Sequence, residues 1–149
     1  MPTPTPAVET RAFLWPESVT ANPGDALTVS VWVNPGSVGI SGGEIQVFFP
    51  SGVLEAVEVE AGDLLGPDAL VGYREVNNTE GFVRIAIARV GPTDVPSPQG
   101  SFAVLTLRYR KSVSAGQYPL ELRVGMVNEL FQDVALSSIQ GGLVTVQVP

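Results

Sequence analysis

An all-β sandwich is the fold class this sequence predicts, and three observations predict it. Apolar and polar residues alternate at period two through at least seven segments. Gly, Pro, Asn and Asp punctuate the gaps between them. No stretch of helical length carries an apolar stripe at 3.6-residue spacing; a single turn over 129–134 is the one helical element expected.

Taken in order, the first strand covers 12–15. The second covers 26–34, after the turn residues Asn22, Pro23, Gly24 and Asp25, and points Leu27, Val29, Val31 and Val33 inward. Segment 44–49 does the same with Ile45, Val47 and Phe49, and 53–59 follows a Pro50-Ser51-Gly52 turn. A weaker strand is expected near 71–76. Residues 82–90 set Val83, Ile85 and Ile87 inward against Phe82, Arg84 and Ala86 outward. Residues 101–110 bury Ala103, Leu105, Leu107 and Tyr109, and 118–124 bury Leu120, Leu122 and Val124. The last strand, 142–148, buries Val144, Val146 and Val148. About nine short strands separated by turns give a sandwich or jelly roll.

The 149 residues suffice for one domain with a full core. Apolar residues make up 44% and charged residues 15%, a balance that favours folding over disorder. The alternating Pro and Thr residues from Pro2 to Pro6 impose an extended backbone and remove amide donors. Residues 1–8 are therefore expected to be a linker, and 9–149 the folded domain, as if cut from a longer multi-module protein. No apolar run is long enough to span a bilayer, so no membrane insertion is expected.

Net charge is −7, concentrated early: before Arg74 there are nine acidic residues and one basic residue, Arg11. With no basic stripe, nucleic acid and anionic membranes are poor partners. The chain has no His and no Cys, which rules out a Ser-His-Asp relay, a Cys-His pair and an ordinary zinc site. The remaining acids are scattered over turns and strand faces with no sign of a cleft, so catalysis is not expected and neither is a cofactor.

The succession of landmarks is more specific than the composition. Pro23-Gly24-Asp25 leads into a Val-rich strand, followed by Ile40-Ser41-Gly42-Gly43-Glu44-Ile45-Gln46-Val47-Phe48-Phe49-Pro50. Then come Val53-Leu54-Glu55, Val57-Glu58-Val59 and Ala61-Gly62-Asp63-Leu64-Leu65, then Gly81-Phe82-Val83-Arg84-Ile85. Gly100-Ser101-Phe102-Ala103, Ala115-Gly116-Gln117-Tyr118 and Gly141-Gly142-Leu143-Val144 complete the series. In this order, over residues 13–148, the chain resembles the cohesin domains. The resemblance implies a flattened nine-stranded jelly roll, extracellular or at a cell surface within a scaffolding protein. It also implies a dockerin-bearing partner, with any calcium held by the dockerin. A monomer is favoured.

In the resembled family the docking face is built by the third, fifth, sixth and eighth strands. Carried over by position, it comprises Gly42, Glu44 and Gln46, then Arg74 and Val76, then Phe82, Arg84, Ala86 and Arg89, and finally Asn128, Glu129 and Leu130. Small residues would let another backbone approach, Phe82 and Leu130 would serve as apolar anchors, and Arg84 and Arg89 as charged anchors. Such a basic patch predicts a dockerin with acidic recognition residues.

Two other functions compete with docking. A carbohydrate-binding module needs a row of aromatics on one face, and Phe48 and Phe82 are the outward pair expected to be neighbours. A structural or adhesion repeat needs no coherent patch at all. Among smaller motifs, Asn77-Asn78-Thr79 is a glycosylation sequon but reads better as a turn. The 63–68 segment is a loop without the ligand density of a calcium site. Trp32 points outward, under a covering loop or the N-terminal segment.

Overall fold

The computed structural model describes residues 10–22, 26–34, 40–66, 69–89, 100–109, 116–127, 132–134, 136 and 138–146. The linker expected at 1–8 and the turn at Pro23 to Asp25 lie outside these, as do the side chains of Tyr109, Val146 and Val148. Among the described residues twelve strands form: β1 (Arg11–Trp15), β2 (Ser18–Ala21), β3 (Ala26–Asn34), β4 (Gly42–Phe48), β5 (Leu54–Ala61) and β6 (Leu70–Asn77). They continue with β7 (Phe82–Ala88), β8 (Gly100–Tyr109), β9 (Gly116–Val127), β10 (Asp133–Val134), β11 (Ser138–Gln140) and β12 (Gly142–Val146). The nine expected strands are all present. The three extra ones, β2, β10 and β11, are too short for an alternating pattern to reveal. Asp133 and Val134, expected within a helical turn, pair instead with Val127 and Met126 of β9.

Two sheets stack as a jelly-roll sandwich. One runs β11-β1-β3-β8-β5; the other runs β2-β12-β9-β4-β7-β6, with β10 added beside β9. The chain crosses from one sheet to the other at almost every connection. At the first crossing, the Trp15–Pro16 peptide is cis and the chain leaves β1 for β2. The tight β6–β7 hairpin is an exception that stays within one sheet, and it matters for the site.

Alternation puts the expected residues in the core. Leu27, Val29, Val31 and Val33 of β3, Ile45 and Val47 of β4, and Val83, Ile85 and Ile87 of β7 are all buried. Each large aliphatic side chain removed from water contributes about 1.5–3 kcal/mol before the entropy of ordering it. Three bulges interrupt the period. At Val31/Trp32 the β3–β8 register skips Phe102, so Phe102 and Ala103 both turn inward, and Phe102 is the largest fully buried side chain. At Ala56/Glu58 the extra residue is Val57, pushed to the surface while Ala56 and Val59 stay inside. The third lies at Gly72, between Val71 and Tyr73. Such one-residue insertions swap which side chain faces the core.

The β6–β7 hairpin is tied down by its own turn. Asn77 Oδ1 accepts from the Thr79 and Glu80 amides at 3.1 and 2.8 Å. Gly81 adopts φ +86°, and a Cβ there would collide with the Phe49 carbonyl, so only glycine fits. Asn78 reaches the other sheet: its Oδ1 accepts from the Ala56 amide at 2.6 Å and its Nδ2 donates to the Ala56 carbonyl at 3.0 Å. The sequon stretch is therefore a turn, as expected, and a clasp on the β5 bulge as well.

Candidate functional site

The outer face of β6-β7-β4-β9 is a four-strand surface whose registers fix its layout. Reading across the strands, one row is Leu70, Ala88, Gly42 and Val127. The next is Tyr73, Ala86, Glu44 and Gly125, then Glu75, Arg84, Gln46 and Arg123. The last is Asn77, Phe82, Phe48 and Glu121. With strands about 4.8 Å apart and about 3.3 Å per residue, the face measures roughly 19 by 23 Å.

Glu44, Gln46, Arg84 and Ala86 stand together at its centre, as expected. Four expectations need correction. Arg74 and Val76 pair with Ile85 and Val83, on the core side of β6, because the Gly72 bulge shifts the alternation by one. Tyr73 and Glu75 take their places, and Arg74 reaches over the sandwich edge to Glu60 of β5 at 3.9 Å. Phe82 does face outward but is only 8% exposed. Its ring lies 5.9 Å from Phe48, and the Arg84 guanidinium sits 5.5 Å above it, so it is a floor and not a protruding anchor. Gly42 is buried, and a Cβ on it would stand 3.0 Å from the Ile87 carbonyl. The open glycine of the face is Gly125, above which a Cβ would meet nothing within 4 Å. Arg89 lies just beyond β7, its amide donating to the Ser41 carbonyl at 2.7 Å. Asn128, Glu129 and Leu130 lie outside the described residues.

The face is mixed in charge, not a basic patch. Arg84 Nε lies 3.2 Å from Glu44 Oε1, although its N–H does not point along that line and makes no hydrogen bond. Arg123 sits 4.7 Å over the Phe48 ring and 3.8 Å from Glu121. Tyr73 donates its hydroxyl proton to Glu75 at 2.7 Å, and that bond holds the Tyr73 pKa above its usual 10.0. Within this mosaic Gln46 is flanked by Arg84 on one side and Arg123 on the other. An anionic or hydroxyl-bearing group laid over Gln46 meets two guanidinium groups. The pairing of these arginines with their own carboxylates is loose and solvent-exposed, which leaves both able to turn to a new acceptor.

The strand parity of 118–124 points Arg123 outward and, extended by one residue, Gly125; Tyr73 and Glu75 are hidden by the bulge. Elsewhere, the Asp63 carboxylate accepts from Ser101, from its amide at 3.0 Å and its hydroxyl at 3.1 Å, so it clasps a loop. Among the described residues no group of three His, Cys, Asp or Glu is placed to hold a metal ion.

The cohesin domain family profile matches residues 15–139. Solved structures of similar shape include a cohesin of Clostridium acetobutylicum, at 19% identity and TM-score 0.76, covering 95% of this chain and 92% of that one. A chain in a type I cohesin–dockerin complex of Clostridium thermocellum is 16% identical with TM-score 0.76, covering 93% and 99%. A non-cellulosomal cohesin of the archaeon Archaeoglobus fulgidus is 18% identical with TM-score 0.72, covering 93% and 91%. No curated protein sequence matches the chain.

Proposed function

Because the chain belongs to the cohesin domain family, we propose that it is a non-catalytic docking module that binds a dockerin through the outer face of β6-β7-β4-β9. The observation that carries this reading is the face itself. Four adjacent strands present small residues, Ala86, Ala88 and Gly125, beside Arg84 and Arg123, so a second backbone can approach closely and find charged anchors. Similar structures include complexes of a cohesin with a dockerin, which supports the same partner class here.

Binding of this kind needs rigidity and complementarity, not bond-making chemistry. The core-facing side of β4 and β7 supplies the rigidity: Ile45, Val47, Val83 and Ile85 are wholly buried. The partner's recognition surface offers a carboxylate, amide or hydroxyl to the Arg84–Gln46–Arg123 row, and its own calcium stays on the partner. The Pro/Thr run at Pro2 to Pro6 fits a module strung within an extracellular scaffold-like protein.

Calorimetric titration with a panel of dockerins in calcium buffer, including those encoded in the same genome, tests the reading. At least one is expected to bind one-to-one, and Arg84→Glu is expected to weaken it at least tenfold. Failure of every dockerin to bind would remove the reading.

A further inference from the structure

The outer face of the other sheet holds an aromatic group of its own. Both tryptophans of the chain are there. Phe13 of β1 stands directly opposite Trp32 of β3, and Trp15 follows Phe13 on the same side of β1. Ala12 and Leu14, the intervening residues, are buried in the core, which fixes Phe13 and Trp15 outward. Cross-strand partners of this kind have Cβ atoms about 5 Å apart, within aromatic contact range. Trp15 is 60% exposed, and with Phe13 beside it and Trp32 opposite Phe13 it belongs to a patch and is not a singly scattered apolar residue. Outward Trp32 is only half-buried, but its indole N–H is buried and has no acceptor among the described residues.

A cleft of about 320 Å³ opens beside this group, at the small end of ligand-sized cavities. Phe13 and Trp15 line it together with Arg11, Glu17, Asn34 and Gln140. Asn34 is the register partner of Arg11, and Gln140 that of Phe13, so planar polar groups frame the rings on both sides. Hence the cleft offers flat apolar surfaces next to donors and acceptors that can grip neighbouring hydroxyls in pairs.

We propose that this cleft is a binding site for a neutral carbohydrate chain, with a pyranose ring stacked on Trp15 and Phe13 and its hydroxyls held by Arg11, Asn34, Gln140 and Glu17. Stacking works because the C–H-bearing face of a pyranose is apolar, while its rim is all donor and acceptor. Charge selects neutrality. Arg11 and Glu17 offset each other within the cleft, and at the far edge of the same sheet Glu55 and Glu60 of β5 lie 3.9 Å from Arg108 and Arg74, so neither sign of charge dominates what a ligand meets. The outward aromatic pair expected from the sequence, Phe48 and Phe82, does form, on the docking sheet. Those rings are neighbours but tilted by 50°, and Phe82 is covered. One sheet would dock a protein while the opposite sheet holds a glycan, so both ligands bind at once.

The test is native affinity electrophoresis of the full chain in gels containing hydroxyethylcellulose, xylan or galactomannan. Titration of tryptophan fluorescence with the matching hexasaccharide accompanies it. At least one neutral polysaccharide is expected to retard the protein, and Trp15→Ala and Arg11→Ala, both at exposed positions, are each expected to weaken the titrated affinity at least fivefold. Circular dichroism and dockerin affinity of both variants are expected to match the unmodified chain. Absence of retardation in all three gels would overturn the proposal. So would retardation unaffected by either substitution, or a fluorescence response to a proline-rich peptide and to no glycan.

Discussion

On the seven-stranded sheet the outward residues at the centre are Ala86, Glu44, Gln46 and Gly125; on the five-stranded sheet they include Phe13, Trp32 and Ser30. Both faces rest on the same aliphatic core, packed by the same alternation. What differs is the relief above it. Small side chains and paired charges make a level surface suited to another folded domain, where contact area and a few charged anchors decide affinity. Large rings beside a cleft make a site suited to a small, flat ligand. One sandwich therefore supports two chemistries, because outward positions are free of the packing constraint that fixes inward ones.

Substitutions that break or sharpen this contrast fall in a clear order. The largest effect belongs to the shared core. Val47→Asp buries a carboxylate between Val83 and Leu122, costs about 3–5 kcal/mol, and should abolish both faces together. Guanidinium unfolding followed by circular dichroism measures it; a folded variant of unchanged stability would mean that β4 is turned the other way. Asn78→Ala comes next. It strips both partners from the Ala56 backbone and costs about 2 kcal/mol, loosening β6 without touching the aromatic cleft. Faster amide exchange confined to β5, β6 and β7 is the expected signature.

Smaller effects on stability separate the faces themselves. Gly125→Tyr fills open space above β9, so unfolding should move by no more than about 0.5 kcal/mol while dockerin affinity falls by an order of magnitude or more. Arg84→Glu should be equally mild for stability, since its partner Glu44 is solvent-exposed, yet it should redirect partner choice toward basic recognition residues. The smallest effect is spectroscopic. The bond to Glu75 raises the Tyr73 pKa, so the folded state retains that proton and loses a little stability as pH rises above 10.0. Glu75→Gln should lower the midpoint of the tyrosine absorbance titration.

How much of this was legible in the residues follows from where the period holds. The strands β3, β4, β7 and β9 alternate cleanly, and parity alone places their inward residues from Leu27 through Leu122. Sequence pattern failed at bulges. Gly72 carries no hydrophobic signal, so nothing marked the point where Tyr73 and Glu75 displace Arg74 and Val76 from the face. Phe102 was lost for the same reason. Parity gives direction but not exposure, which is why Phe82 was correctly aimed and wrongly exposed: its cover comes from Phe48 and Arg84 on the same surface. The aromatic cleft is hidden from the sequence because Phe13 and Trp15 sit on a five-residue strand, and the placing of Phe13 opposite Trp32 depends on strand order, which alternation does not reveal.

The most direct test of the docking account is an NMR footprint: backbone and side-chain shifts of the ¹⁵N-labelled chain, free and bound to a dockerin that titrates tightly. Perturbations concentrated at Tyr73, Glu75, Arg84, Ala86, Glu44, Gln46, Arg123 and Gly125, with Phe13, Trp15 and Trp32 unmoved, are the predicted result. Perturbations centred on β1 and β3, with the Arg84–Gln46–Arg123 row silent, would contradict it.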